Sequence, residues 1–144
     1  MVDTADDTLA MADELRPILL RLARHLRTET HSKITGGQIS LLVALEFHPG
    51  ITPQKIAERE DLSPASISGH LARLEGLKLI RRERTPDGRH INLFLTEAGR
   101  GRVAAVREER NSWLASRLEQ LTADERAAIR AALTALRQVT TGDR

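Results

Sequence analysis

Five histidines, His25, His31, His48, His70 and His90, stand among 20 carboxylates, a mixture that holds a metal ion or runs acid–base chemistry when the spacing is right. Here the spacing argues against both. No His-x-x-x-His pair and no paired-carboxylate spacing places ligands on one helical face. His25, His31 or His48 would form a zinc site only by meeting a carboxylate through the fold. No nucleophile elbow or phosphate-cradling glycine loop is present, and there is no cysteine to serve as nucleophile, thiolate ligand or redox sensor. Gly36-Gly37 follows a threonine and reads as the start of a capped helix, not as a cofactor loop. No metal, no cofactor and no enzymatic activity are expected.

The arginines offer a different chemistry. Of the 22 basic residues only Lys33, Lys55 and Lys78 are lysine, and a guanidinium forks onto phosphate oxygens and base edges as an ammonium does not. The net charge of +2 hides an uneven distribution. Residues 61–102 carry eight basic against five acidic side chains, whereas residues 1–60 carry seven against nine. Arg81, Arg82, Arg84 and Arg89 form the densest part, opposed nearby only by Glu83 and Asp87. Such a cluster alone is usually a solvated surface, so its meaning depends on the elements that carry it.

Those elements must be built with an aliphatic core. The chain of 144 residues suits one domain, 40% of it is hydrophobic, and its aromatic residues are Phe47, Phe94 and Trp113 alone. An aromatic cage or a platform for stacking single-stranded RNA is therefore excluded. No apolar run approaches the ~20 residues of a bilayer span. The opening Met1-Val-Asp-Thr-Ala-Asp-Asp is acidic where a signal peptide would be basic, so a cytoplasmic location is expected, with no membrane partner.

Periodicity supplies the order of elements. Leu15, Leu19, Leu22 and Leu26 form one stripe of a first helix, about residues 8–28, with Pro17 predicting a kink or a start near Arg16. Thr35 and Gln38 make a capping box for a second helix whose buried face is Ile39, Leu42, Val43 and Phe47. It is stopped by His48-Pro49-Gly50. Thr52-Pro53 opens a short third helix with Ile56 and Ala57 inward. Ser63-Pro64 opens a fourth that buries Ile67, Leu71 and Leu74 and ends at Gly76. Two such helices joined by a tight turn describe a helix-turn-helix. Next, residues 79–84 and 89–95 read as two short strands around Pro86-Asp87-Gly88, a hairpin with Ile91, Leu93 and Leu95 on one face. Thr96 caps a long helix to about Leu121, carrying Val103, Val106, Trp113, Leu114 and Leu118. Thr122 and Glu125 box the last, with Ile129, Leu133, Leu136 and Val139 on its stripe.

Helices, a helix-turn-helix and a hairpin in this order make a mainly α (α+β) chain, a winged helix-turn-helix with a two-stranded wing and a helical body. In that architecture the second helix of the pair enters the major groove of duplex DNA and the hairpin reaches the minor groove. With Ile67, Leu71 and Leu74 inside, the side of the fourth helix that faces DNA is Ser63, Ala65, Ser66, Ser68, Gly69, His70 and Arg73. Ser63 also caps the helix. Thr52 and Gln54 are candidate phosphate contacts, and strand alternation turns some of Arg81, Arg82 and Arg84 away from DNA.

Leu62-Ser-Pro-Ala-Ser-Ile-Ser-Gly-His-Leu-Ala-Arg-Leu-Glu-Gly-Leu-Lys-Leu-Ile-Arg-Arg, then Asp87-Gly88-Arg89, then Leu95-Thr-Glu-Ala-Gly99, is a specific series in this order and spacing. It resembles the multiple antibiotic resistance regulator (MarR) family of bacterial transcription factors, over residues 34–139. The resemblance implies a homodimer on a palindromic operator, most often a repressor released by a small, frequently phenolic ligand. It implies a winged lobe at about residues 35–95 and dimerisation helices at about 6–30 and 97–140, within a single domain 1–144. It places Arg89 in the minor groove and makes Asp87 the acid that steadies the wing turn.

Physical reasoning favours a dimer as well. Leu15, Leu19 and Leu22, with Trp113, Leu118, Leu133 and Leu136, leave more apolar surface than one winged lobe covers; packing of these helices within one chain is the alternative. An effector cleft would lie near His25, Phe47 and Trp113, although so little aromatic surface leaves a constitutive binder without inducer open. The rival function is a winged helix that recruits a protein instead of DNA. It would call for an acidic or apolar recognition face, unlike Ser66, Ser68, His70 and Arg73.

Overall fold

The computed structural model of the protein describes residues 4–28 and 33–141. Eight elements follow in order: α1 (Thr4–Thr28), α2 (Gly36–Phe47), α3 (Pro53–Arg59), α4 (Pro64–Gly76), β1 (Ile80–Arg84), β2 (Ile91–Leu95), α5 (Glu97–Leu118) and α6 (Ala123–Thr140). They gather into two compact units, Met1–Arg110 and Asn111–Arg144.

Local chemistry sets most of the helix starts. Thr35 Oγ1 accepts the N–H of Gln38 while the Gln38 side chain accepts the N–H of Thr35, closing the expected box at α2. Thr52 and Ser63 each accept a backbone N–H three residues on, with proline at the first helical positions of α3 and α4. The box at α6 is complete too, and the two bonds from Thr122 hold the Glu125 carboxyl below its ordinary range. Where the chain turns between α3 and α4, Asp61 takes a left-handed conformation (φ 51°), which short polar side chains tolerate.

In the first unit, an aliphatic cluster joins α2, α3, α4, the hairpin and the start of α5. Leu41, Leu42 and Leu45 of α2 meet Ile56 of α3, Ile67, Leu71 and Leu74 of α4, Leu93 and Leu95 of β2, and Val103 and Val106 of α5. β1 and β2 pair antiparallel, Arg82 opposite Leu93. Ile51 bridges the free side of β2, and Leu93 exchanges backbone bonds with Gly50 and Ile51 at 2.9 and 3.0 Å. A short third strand-like contact therefore clamps the hairpin to the end of α2.

The start of α5 is locked to the turn after α4. Thr96 Oγ1 accepts the N–H of Gly99 and donates to the carbonyl of Lys78 at 2.6 Å, and the Thr96 N–H reaches the carbonyl of Leu79. Gly99 is needed because a Cβ there would overlap the Leu79 carbonyl oxygen and press Leu95 at 3.1 Å.

Three sequence expectations need correction. Phe47 is exposed (69%) rather than buried. The core side of α2 is centred on Gln38, Leu42 and Leu45, and at 100° per residue Phe47 lies roughly 140° round the helix from Leu42. The first helix neither starts near Arg16 nor at Thr8 but runs from Thr4 through Pro17. Proline forfeits only the bond to Asp13, and Arg16 pairs with the Asp13 carboxylate at 3.2 Å. The long helix ends at Leu118, three residues early, because bonds from Gln120 to Arg117 and from Leu121 to Leu118 tighten the last turn.

Gly99→Ala is expected to cost about 1–3 kcal/mol through overpacking, seen as a lower denaturant midpoint in the full chain. An unchanged midpoint would mean that α5 is not seated on the Leu79 carbonyl.

Candidate nucleic-acid interface

With Ile67, Leu71 and Leu74 buried, α4 presents Ala65, Ser66, Ser68, Gly69 and Arg73 to solvent. The packing that buries one side creates the other. Ser63 is the N-cap, and its hydroxyl also donates to Ser66 Oγ at 3.0 Å, so the two serines form one polar knob at the helix start. A Cβ on Gly69 would meet nothing within 4 Å, which leaves this side of the helix smooth. Arg73 carries no ion pair among the described residues. His70 is half-buried, its Nδ1 3.5 Å from Nε2 of Gln38.

Beside α4, the start of α3 contributes less. Thr52 is half-buried and spends its oxygen on the N–H of Lys55, and Gln54 donates to Glu58 at 3.3 Å. Both lie near α4, but their side chains already have partners.

The hairpin tip is organised by one carboxylate. Asp87 Oδ1 accepts the Thr85 hydroxyl at 2.5 Å and the Arg89 backbone N–H at 3.1 Å. Thr85 also accepts the N–H of His90 and bonds its carbonyl through the backbone at 3.0 Å, while Gly88 supplies the left-handed residue (φ 70°). The Thr85 hydroxyl, then the Arg89 N–H, hold the Asp87 carboxyl below the usual value of 3.8, and the nearby His90 adds to this. Asp87 thus steadies the backbone of the tip and leaves the Arg89 guanidinium exposed, with no ion pair among the described residues.

The other wing arginines are partly committed. Arg82 pairs with Glu75 at the end of α4 at 2.7 Å, Arg81 pairs with Glu83, and the Arg81 guanidinium sits 4.7 Å above the Phe94 ring. Alternation along β1 is the reason. Thr85 was missed by sequence reasoning, although a hydroxyl two residues before the turn aspartate is a readable sign of a side-chain-capped turn. The bond between Gln38 and His70 spans 32 positions and had no local sign.

Of the residues expected near an effector, Phe47 lines a cavity of about 510 Å³ with Ser40, His48, Arg59, Glu60 and Arg110. The Arg110 Nε there is buried and has no hydrogen-bond partner. His25 lies on α1 and is not part of that lining, and Trp113 belongs to the second unit, where Arg117 stacks over it at 5.5 Å. Among the described residues no three His, Asp or Glu side chains gather as a metal set. His31 lies outside them.

A family model described as the MarR family matches residues 32–90. An uncharacterized HTH-type transcriptional regulator of Mycobacterium leprae is 33% identical over 127 residues, 87% of this chain and 89% of its own length. The HTH-type transcriptional repressor MdtR of Bacillus subtilis is 33% identical over 93 residues, 64% of this chain and 60% of its own length. A mutant of Staphylococcus aureus MepR, solved bound to an oligodeoxyribonucleotide, superimposes with a TM-score of 0.69 at 25% identity, over 90% of this chain and 97% of its own.

The sign of the Asp87 shift gives a pH test of the wing. A carboxyl whose pKa is lowered by folding keeps its contacts above the ordinary value and loses them as pH falls through the lowered one. The Arg89 amide shift should therefore titrate with a midpoint below 3.8 and lose this step in Asp87→Ala. A midpoint at or above 3.8 would contradict the described turn.

Proposed function

The chain belongs to the MarR family, whose members are DNA-binding transcription regulators and not enzymes, and from that premise we propose a homodimeric repressor that binds a palindromic operator. The observation that carries this reading is the pairing of an exposed, small-residue side of α4 ending in Arg73 with a preorganised tip that leaves Arg89 exposed. Small side chains let the helix approach the sugar-phosphate wall closely, and Arg73 then reaches phosphate or a base edge. Arg89 enters the adjacent minor groove, where a guanidinium gains from the negative potential. Ser63, Ala65, Ser66, Ser68 and His70 complete the major-groove contacts, with Thr52 and Gln54 at the phosphates.

The dimer reading is supported by apolar side chains left in water. On α1, Ile18, Leu19, Leu20 and Leu22 are exposed, and α6 has no buried residue, with Ile129, Leu133 and Val139 all exposed. A second copy that covers these side chains also supplies the second recognition helix, about 34 Å away, one turn of DNA. Leu15, Trp113, Leu118 and Leu136 are assigned to the same interface. Repression would follow from occupying the operator; the related MdtR is named a transcriptional repressor. A small phenolic effector in the cavity beside Phe47 would act by favouring a helix spacing that fits DNA poorly.

Fluorescence anisotropy with the duplex upstream of the chain's own gene tests the reading directly. Binding should far exceed that to a scrambled duplex, and equal binding to both would overturn it. Arg89→Ala is expected to weaken specific binding and to lower the slope of log K against log salt by about one; an unchanged slope would remove Arg89 from the interface. Leu133→Asp with Leu136→Asp is expected to give monomers in analytical ultracentrifugation at micromolar concentration. A pair variant that stays dimeric would move the interface elsewhere.

A further inference from the structure

One contact on the DNA-facing side of α4 has a chemistry fixed from behind. His70 Nδ1 faces Nε2 of Gln38 at 3.5 Å, and Gln38, exposed by only 7%, is a buried polar side chain in an aliphatic cluster. Gln38 is also half of the capping box of α2. Its Oε1 accepts the Thr35 N–H at 3.1 Å, and its own N–H goes to Thr35 Oγ1 at 3.3 Å. That reciprocal cap decides which end of the amide points where: the carbonyl oxygen is spent on Thr35, so the NH₂ faces the imidazole.

An amide NH₂ donates and never accepts. A neutral imidazole meets it only with an unprotonated Nδ1, and the ring proton then sits on Nε2. The two ring nitrogens diverge, so the Nε2–H points away from Gln38. It shares its side of the helix with Ser66, four residues before, and Arg73, three after.

We propose that Gln38 is a positioning residue that fixes His70 as an Nε2–H donor at the DNA surface. This rests on the reading that α4 enters the groove. As a donor, His70 demands a hydrogen-bond acceptor opposite it: purine N7, guanine O6, thymine O4 or a phosphate oxygen. It rejects the exocyclic amines of cytosine and adenine, because two donors would face each other. The cap of one helix thereby sets the hydrogen-bond polarity read by another.

Gln38→Glu is the informative variant. Glutamate at this position keeps both bonds of the capping box, so the fold is retained, but its second oxygen offers the imidazole only an acceptor. Ring ¹⁵N spectra of the full chain without DNA, at alkaline pH, report the tautomer, with the His70 signals assigned by their loss in His70→Gln. The wild type should show the proton on Nε2, and Gln38→Glu should move it to Nδ1. The same tautomer in both would overturn the proposal.

The DNA arm is run at the same alkaline pH, because a carboxylate beside a protonated ring would leave both nitrogens as donors, and uses a duplex enriched by the wild-type chain from a random-sequence pool. His70→Ala and Gln38→Glu should each weaken binding roughly three- to tenfold. The double variant should lose no more than His70→Ala alone, which separates the tautomer from the added charge of glutamate. In a scan of single base-pair substitutions, a base acceptor shows as one position that the wild type discriminates and His70→Ala does not. A phosphate acceptor shows as an equal loss on every sequence. Affinities equal to wild type in both single variants would overturn the donor role. Failure to enrich any duplex would instead defeat the groove reading of α4, and the ring spectra would still decide the role of Gln38.

Discussion

Ile67, Leu71 and Leu74 lie on one side of α4 and are buried in the aliphatic cluster with Leu42, Ile56 and Leu93. Burying each such side chain is worth about 1.5–3 kcal/mol, enough together to fix the rotation of a helix of only 13 residues. Once that rotation is fixed, Ser66, Ser68, Gly69 and Arg73 have nowhere to go but outward. A small shift in the anchors would turn Ala72 to the front and carry Arg73 away. The recognition surface is therefore a by-product of core packing, specified by side chains that never touch DNA.

The hairpin is fixed by a different kind of force. Its inner side is held by Leu93 and Leu95, but its tip lies beyond the core and depends on polar bonds within the turn. Asp87 satisfies two donors with one oxygen, and Thr85 ties both strand ends together. That division suits a wing. The base moves with the core, while the tip presents an arginine without ordering its long side chain. Thr96 and Gly99 join this lobe to α5, so the first turns of the long helix cannot shift without pulling on the loop after α4.

What the sequence revealed was local chemistry. Caps at Thr35, Thr52, Ser63 and Thr122 need only residues three apart, and each was legible together with the anchors of α4 and the turn at Asp87. What stayed hidden depends on contacts between distant segments or on the exact azimuth of a side chain. Phe47 fitted a plausible stripe, yet the true core side of α2 runs through Leu41 and Leu45. Pro17 looked like a break, but a helix loses only one backbone bond there. Arg81 stacks on Phe94 and Arg82 reaches Glu75, pairings set by strand register and not by order along the chain. Gln38 and His70 are 32 positions apart, and only the fold brings them together.

The rotation of α4 can be tested by mapping amide chemical-shift changes on the full chain as the enriched duplex is added. The largest changes should fall on residues 63–73 and 87–90, with the buried residues of α2 little affected. Changes confined to other surfaces, with α4 and the hairpin tip silent, would contradict the account.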